Sequence, residues 1–227
     1  MKCGVCGGSS FAGRAILWDG LINEWQLSES ETAYVNRQQG ESCNDCGSNL
    51  RSIALANGIR SYLGVKCTLN EAAQKAEFQK LSIFEINEAG NLTPSLQKFS
   101  NYKFGAYPEV DMHAMPFADA SFDLVIHSDT LEHVDNPVHA LSECRRILKP
   151  GGALCFTIPT IVGRMTRKRD GLPKSFHGNP ATATDDFIVR TEFGADGWTY
   201  AMEAGFTDVA LHAVAYPSAI AYVARNG

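Results

Sequence analysis

The sequence lacks a hydrophobic run long enough to cross a membrane, and its first residues, MKCGVCGGSS, lack the apolar core of a secretory signal. We therefore expect a cytoplasmic protein with no membrane partner. It also lacks an excess of basic residues, because the net charge is −5, which argues against a dedicated nucleic-acid binder. With 44% hydrophobic and 20% charged residues in 227, the composition is typical of a globular chain with an ample core.

The seven cysteines are odd in number, which argues against a secreted disulfide framework, but four of them form a regular pattern. Cys3 with Cys6 and Cys43 with Cys46 make two copies of C-x-x-C-G. Two such turns can direct four thiolates at one ion, so the pattern predicts a structural Zn²⁺ site. The glycine after each pair suits a turn with positive φ. The alternatives are two unrelated pairs or a redox C-x-x-C, which needs only one pair beside a thioredoxin-like strand and helix.

The 36 residues between the two cysteine pairs contain large apolar side chains for a small core and a helix that begins at Ser28 or Ser30. Residues 53–63 then place apolar side chains on one helical face, and Gly64 ends that helix. We expect this second helix to join a zinc-binding module, residues 1–64, to a main domain, residues 65–227.

From residue 81 onward, strand and helix patterns alternate. The patterns predict strands at 82–86, 102–107, 122–128 and 152–159, helices at 93–99, 137–148 and 193–206, and closing strands at 207–216 and 218–225. Continuous apolar strands between helices predict an α/β fold, with a doubly wound, mostly parallel sheet covered on both faces. The closing pair predicts an antiparallel C-terminal edge. Ligands bind such sheets at the carboxyl ends of the strands, where the winding reverses.

Residues 111–159, DMHAMPFADASFDLVIHSDTLEHVDNPVHALSECRRILKPGGALCFTIP, closely resemble the central block of class I S-adenosylmethionine-dependent methyltransferases of the type 11 kind. The matching runs are the acid before MPF, then SFDLVI, LEHV and RRILKPGG, and the resemblance extends over about residues 81–227. It implies a Rossmann-like fold, S-adenosyl-L-methionine as methyl donor and methyltransferase activity. The four cysteines suggest a zinc-bearing subgroup. LKPGG is a marker of the fold and not a site.

The resemblance also implies where the donor binds. Glu85, at the end of the first strand, matches an acid that engages the ammonium group of the donor. Asp111 matches the acid that accepts a hydrogen bond from the adenine amino group, and Met112 offers its backbone N–H to the ring. The backbone of His127 borders the methionine moiety. The alternative for Glu85 and Asp111 is an ordinary surface or capping carboxylate.

The turn after this first strand has little glycine. The alternate glycines of the family are replaced by Asn87, Ala89 and Asn91, and Gly90 alone remains. Alanine is small, and asparagine is the residue best able to replace glycine at positive φ, so we expect a turn that is still tight, with Asn87 and Gly90 at the donor. The following segment is too short for the full second helix of the family, and the ribose contact comes from Glu109, from Tyr107 or from neither.

Methyl transfer needs a base only when the acceptor must lose a proton. His133, in LEHV, is the first candidate, and its alternative is a hydrogen bond to a neighbouring carboxylate such as Asp129 or Asp135. We expect Glu132 to pack or pair structurally. His177 is the second candidate base, in an insertion rich in glycine and proline.

That insertion, residues 161–186, is expected to form a lid over the acceptor. The basic run RMTRKRD at 164–170 either contacts an acidic acceptor, such as a phosphorylated sugar or RNA, or is a solvated loop. We favour a small-molecule or saccharide acceptor over RNA, because the net charge is negative. The competing hypothesis is a non-catalytic scaffold on a degenerate methyltransferase fold. The sequence leaves the oligomeric state open.

Overall fold

The structure is a computed structural model that describes residues 1–177 and 184–227. Its strands are β1 (Phe11–Ala12), β2 (Ser42–Cys43), β3 (Ser82–Ile86), β4 (Asn101–Gly105), β5 (Phe122–Ser128), β6 (Leu148–Thr157), β7 (Thr160–Ile161), β8 (Arg167–Lys168), β9 (Thr191–Gly194), β10 (Asp208–Val214) and β11 (Ala219–Arg225). Its α-helices are α1 (Asp19–Glu24), α2 (Glu29–Gly40), α3 (Leu50–Tyr62), α4 (Leu69–Ala72), α5 (Thr93–Leu96), α6 (Pro137–Ile147) and α7 (Thr199–Glu203). Short 3₁₀ turns occupy Ala76–Phe78, Gly90–Leu92, Leu131–His133 and Asp185–Phe187.

The central sheet has six strands in the order β10-β11-β6-β5-β3-β4. The pairs β6–β5, β5–β3 and β3–β4 are parallel, whereas β11 is antiparallel to both β6 and β10. This confirms the predicted α/β class, the Rossmann-like, mostly parallel sheet and its antiparallel C-terminal edge. Strand β3 has β4 on one side and β5 on the other, so the winding reverses there. The carboxyl ends of β3 and β5 therefore border the crevice where such folds bind ligands.

Helix α3 covers one face of the sheet, against β6, β10 and β11, while α6 and α7 lie on the other face. Asn49 caps α3 by accepting a hydrogen bond from the N–H of Ser52 at 2.9 Å, and Gly64 follows its end with φ +68°. Residues on all sides of α3 are buried, so it is a core helix and not only a connection. The hydrophobic core between α3 and the sheet also contains Cys3 and Cys43, so the N-terminal segment and the sheet share one hydrophobic core. The division at residues 64 and 65 stays a prediction.

The apolar residues of the N-terminal segment pack on the insertion. Leu21 and Trp25 form a cluster with Ile161 and Val189, which belong to or follow the insertion. Helix α2 begins with the capping box of Ser28, as expected for one of the two serines proposed. The N-terminal core is therefore built across two distant parts of the chain.

The helix predicted at 193–206 is wrong over its first part. Residues Thr191–Gly194 form strand β9, which pairs with β7 and β8 in a three-stranded sheet, and only Thr199–Glu203 is helical. Residues 178–183 of the expected lid lie outside the described residues, and the lid itself stays a prediction. None of the helices in the described part of the chain combines the length and hydropathy that a membrane crossing requires.

Candidate functional site

The four N-terminal cysteines come together as predicted. The Sγ atoms of Cys3 and Cys46 are 3.7 Å apart, those of Cys6 and Cys43 are also 3.7 Å apart, and all four lie within 4.8 Å of one another. A tetrahedral zinc ion with Zn–S bonds of about 2.3 Å requires S···S distances of about 3.8 Å. The cluster therefore fits a four-coordinate ion, and four sulfur ligands leave no open position for catalysis.

Each cysteine pair lies on the same kind of turn. Gly7 and Gly47 have φ of +87° and +72°, and their N–H groups donate to the carbonyls of Cys3 and Cys43 at 2.8 Å. This is the positive φ that the sequence predicted after each pair. The second turn also touches the donor-side turn of the sheet, because the side-chain N–H of Asn91 donates to the carbonyl of Gly47 at 2.8 Å.

A cavity of about 830 Å³ lies at the carboxyl ends of β3, β4 and β5. It extends from the N-terminus of α3, at Asn49 and Ser52, to the chain beyond β4, at Tyr107. Four of the six residues predicted to bind the donor line it: Asn87, Gly90, Asp111 and Met112.

The glycine-poor turn after β3 has the expected tight conformation. Asn87 and Gly90 have φ of +54° and +57°, and Ala89 is fully buried. The Asn87 side chain fixes the neighbouring segment by accepting a hydrogen bond from the N–H of Tyr107 at 3.1 Å. A Cβ atom at Gly90 would lie 2.5 Å from Oγ of Ser52, so a larger residue would have to displace this hydroxyl in addition to adopting a positive φ.

Glu85 supports this turn from below and does not line the cavity. It is fully buried, and its carboxylate accepts hydrogen bonds from the N–H of Ala89 and the hydroxyl of Thr93, both at 2.7 Å. The hydroxyl of Tyr102 on β4 donates to its other oxygen at 2.5 Å. Three internal donors already hold the carboxylate, and its expected engagement of an ammonium group, directly or through water, stays a prediction.

Asp111 is half exposed, and its Oδ1 accepts a hydrogen bond from the N–H of His113 at 2.8 Å. His127, in contrast, is fully buried below the cavity, where its ring stacks on Phe156 at 5.1 Å. Burial lowers the pKa of His127 to about 4, although the charge of Glu132 acts in the other direction. Its predicted backbone contact with the donor stays a prediction.

A second cavity of about 350 Å³ adjoins the first. Its walls are mostly apolar side chains from the N-terminal segment and from the strand that follows β6: Ile16, Leu17, Trp18, Leu21, Trp25, Leu27, Val35 and Ile161. The two cavities share four residues, which are Gln39, Asp129, His133 and Phe187. Two molecules, one bound in each cavity, would therefore be neighbours at these four residues, which we call the shared wall.

Asp129 is the carboxylate of the shared wall. It follows β5 directly with φ +51°, and its Oδ1 accepts a hydrogen bond from Nη1 of Arg51 at 2.7 Å. Gln39 donates to its Oδ2 at 3.1 Å. Burial raises the pKa of Asp129 to about 6, although Arg51 acts in the other direction. The sequence reasoning treated Asp129 only as a partner of His133, although an acid directly after a central parallel strand is a recognisable signal.

The two histidines proposed as bases come together around Glu132. Nδ1 of His133 lies 3.0 Å from the carbonyl of Ile188, and the carboxylate that lies nearest its Nε2 is that of Glu132 and not that of Asp129 or Asp135. Oε1 of Glu132 is 3.5 Å from Nε2 of His133 and 3.2 Å from Nδ1 of His177. Burial alone would raise the pKa of Glu132, but the two imidazoles outweigh burial and lower it to about 2.

The basic run at 164–170 is partly tied into the fold by ion pairs, whereas Arg167 and Lys168 are exposed. Arg164 makes a two-point ion pair with Glu31, with both distances between 2.7 and 2.8 Å. Arg169 and Arg167 both pair with Glu192. Arg164 and, through Glu24, Arg169 tie the insertion to the N-terminal segment, whereas Glu192 lies on β9. The predicted contact of this run with an acidic acceptor stays a prediction.

Comparisons with known proteins agree with the geometry. Residues 46–156, just under half of the chain, match a family model described as a methyltransferase domain. A Mycolicibacterium smegmatis protein, named a probable S-adenosylmethionine-dependent methyltransferase, is 31% identical over 84 residues, which are 35% of this chain and 32% of that protein. Demethylmenaquinone methyltransferase of Renibacterium salmoninarum is 49% identical over 53 residues, 22% of each chain.

The chain thus spans less than a third of the length of these curated relatives in each match. Among solved structures, the CurJ carbon methyltransferase is similar with a TM-score of 0.45 and 14% identity, over 92% of this chain and 69% of that one. A Thermotoga maritima protein titled a possible histamine N-methyltransferase has a TM-score of 0.39 and 19% identity, over 75% and 91%. The segment that matches the methyltransferase-domain model, residues 46–156, carries most of the strand ends around the larger cavity.

Proposed function

We propose that this protein transfers a methyl group from S-adenosyl-L-methionine, bound in the larger cavity, to a small molecule bound in the smaller one. The observation that carries the proposal is the shared wall: the two cavities meet at Asp129 and His133, at the carboxyl end of β5 in a methyltransferase domain. When bound, the donor supplies an electrophilic methyl group on a sulfonium. The work of the protein is then alignment, exclusion of water and, where needed, removal of a proton.

The larger cavity has the groups that such a donor requires. Asp111 and Met112 lie at one end and suit an adenine ring, through a carboxylate acceptor and a buried apolar side chain. Asn49 and Ser52 lie at the other end, at the start of the 13-residue helix α3. Asn49 already accepts a hydrogen bond from the N–H of Ser52, so it is the positive end of the α3 dipole that makes this end suit the donor's carboxylate. Tyr107 lines the cavity shortly after the end of β4, and we propose that it contacts the ribose.

The smaller cavity favours an acceptor with an apolar body. Its walls include Trp18, Leu21 and Trp25, and its polar side chains lie mainly on the shared wall and beside it, so most of a bound molecule would contact apolar groups. A small molecule with an apolar ring or chain gains from the same burial. We therefore place a small molecule ahead of the saccharide and RNA acceptors considered from sequence.

Asp129 is the first candidate base for an acceptor that must lose a proton. With a pKa of about 6 it is ionised at neutral pH, yet it is a stronger base than an ordinary aspartate. Arg51 and Gln39 hold its carboxylate in one orientation at the shared wall. His133 lies on the same wall, and His177 lines only the acceptor side.

We further propose that the four-cysteine cluster holds a structural Zn²⁺. The S···S distances fit a tetrahedral ion, and the contact between Asn91 and Gly47 connects the cluster to the donor-side turn. The ion would stabilise the fold and hold this turn in place without taking part in the chemistry.

The test is calorimetric titration of the zinc-replete full chain with S-adenosyl-L-methionine. We expect micromolar binding, weakened at least about tenfold by Asp111→Ala, because a lost hydrogen bond to a charged group is worth about 1.5–3 kcal/mol. Asp208→Ala is the matched control, since Asp208 lies on β10 at the opposite edge of the sheet. Absence of binding by folded wild-type protein would contradict the proposal and favour the scaffold hypothesis.

A further inference from the structure

We propose that Glu132, His133 and His177 form a binding site for one divalent transition-metal ion, separate from the four-cysteine cluster. Each residue offers one ligand atom, and these atoms lie within 4.8 Å of one another. Glu132 and His133 come from the 3₁₀ turn Leu131–His133 after β5, and His177 comes from the insertion. The inference does not depend on the proposed methyl transfer.

The distances are those expected between two ligands of one ion. Oε1 of Glu132 is 3.5 Å from Nε2 of His133 and 3.2 Å from Nδ1 of His177. A hydrogen bond between an imidazolium and a carboxylate is about 2.7–2.9 Å long. Two ligand atoms at about 2.0–2.1 Å from a tetrahedral ion are about 3.3 Å apart, which is the average of the two observed distances.

The orientation of His133 points to the same conclusion. Its Nδ1 faces the carbonyl of Ile188 at 3.0 Å, and a carbonyl only accepts, so the proton of the neutral ring is assigned to Nδ1. In the neutral ring Nε2 then presents a lone pair towards the carboxylate of Glu132, and a metal ion between the two would bind both. A hydrogen bond from the second ring nitrogen to a backbone carbonyl is also the usual way in which a metal-bound histidine is oriented.

Glu132 supplies the independent observation. Its side chain is only 1% exposed, and neither carboxylate oxygen has a hydrogen bond of normal geometry within the described residues. A buried carboxylate without such partners is costly unless it is paired or coordinates a metal. The nearby imidazoles approach it without donating in hydrogen-bond geometry, as ligands of a shared ion would.

The ligand set also indicates the class of metal. Two imidazoles and one carboxylate suit zinc, cobalt, nickel or ferrous iron, whereas magnesium and calcium prefer oxygen ligands. Three protein ligands leave at least one coordination position open, unlike the four-cysteine cluster. His133 and His177 both line the smaller cavity, so an oxygen or nitrogen ligand bound there has access to the ion.

The test is metal content, measured by elemental analysis on the full chain after incubation with Zn²⁺ and removal of the excess. We expect two zinc ions per wild-type chain and one in Glu132→Gln and in His177→Ala. His139→Ala, which removes an exposed histidine on α6, is the matched control and should retain two. In addition, Co²⁺ added to protein with one zinc should give visible d–d absorption without thiolate charge-transfer bands, because its ligands contain no sulfur.

One zinc ion in the wild-type chain would overturn the proposal. Two zinc ions in both Glu132→Gln and His177→Ala would do the same, and so would thiolate bands in the cobalt spectrum. Titration of the same variants with S-adenosyl-L-methionine separates this inference from the proposed function. If the metal result fails while the donor still binds, only the metal site is wrong.

Discussion

The ion pair between Arg164 and Glu31 allows a quantitative prediction about how the N-terminal segment is held on the insertion. Arg164 donates to both carboxylate oxygens of Glu31 and to the carbonyls of Trp25 and Gln26, at 2.7–2.8 Å. The hydrogen bonds from Arg164 to the Glu31 carboxylate are the largest cause that lowers the pKa of Glu31, to about 2 from its ordinary value of 4.5. At about 1.4 kcal/mol per pKa unit this difference corresponds to at most about 3.5 kcal/mol at neutral pH.

The expected value is smaller, because solvent reaches the pair. The Arg164 side chain is 26% exposed, so we expect Glu31→Gln to lower the free energy of unfolding by about 1–2 kcal/mol at pH 7. Glutamine preserves the capping box of Ser28, so the substitution removes the charge and not the helix cap. Urea unfolding monitored by tryptophan fluorescence measures the difference.

The pH dependence has a definite sign. A carboxylate with a lowered folded pKa stabilises the protein above its unfolded pKa of 4.5 and loses this stabilisation as the pH falls towards 2. At pH 3.5, about two fifths of the difference between wild type and Glu31→Gln should therefore be lost. Glu41→Gln is the matched control, because the exposed pair of Arg37 and Glu41 should contribute less than about 0.5 kcal/mol. A difference for Glu31→Gln no larger than that of the control, or one independent of pH, would refute the reasoning.

Four further predictions follow from other contacts. Asn91→Ala removes the hydrogen bond to Gly47 and should cost about 1 kcal/mol, weakening donor binding by up to about fivefold in calorimetry. Trp25→Ala should lower the free energy of unfolding by about 3–5 kcal/mol, because Trp25 is 7% exposed and donates to Ser175 at 2.8 Å, whereas Trp18→Ala at a 38% exposed position should cost less than about 1 kcal/mol. Chelation of the zinc proposed for the cysteine cluster should lower the midpoint of thermal unfolding by roughly 10 °C, the shift expected for a loss of about 3–5 kcal/mol at 2–4 °C per kcal/mol. NMR titration should show His127 neutral down to about pH 5, and since this ring charges more readily when unfolded, it should make the protein less stable as the pH falls from 6.5 towards 4.

The parts of the fold that could be predicted are those in which local pattern suffices. Strand β5 is a run of buried residues within its predicted bounds, and α6 begins with an Asn136 cap and Pro137. Strand β9 could not be predicted, because Phe193 pairs with Thr160, 33 positions earlier in the chain. Its sequence, TEFG, carries no signal for that partner, so the following helical pattern was extended over it.

In the candidate site, too, the features that depend on local sequence could be predicted and those that depend on distant contacts could not. The four cysteines could be predicted because each pair is local and thiolates at that spacing have few other uses. The role of Glu85 could not, since Tyr102 reaches it only through the register of β3 and β4. Likewise Arg51 and Asp129 are 78 positions apart, and only the folded chain brings them together at the wall between the two cavities.

The core shared by the cysteine cluster and the sheet has a consequence for oxidative damage. Cys6 and Cys46 are partly exposed, while Cys3 and Cys43 pack in the same core as Ile83 and the rest of that sheet face. An oxidant that converts the accessible thiolates to sulfenic acid or to a disulfide removes metal ligands. Cys3 and Cys43 share one hydrophobic core with α3 and the sheet. We therefore expect peroxide to destabilise the fold of the sheet as well as the cysteine cluster, and we expect zinc bound to the cluster to slow this damage.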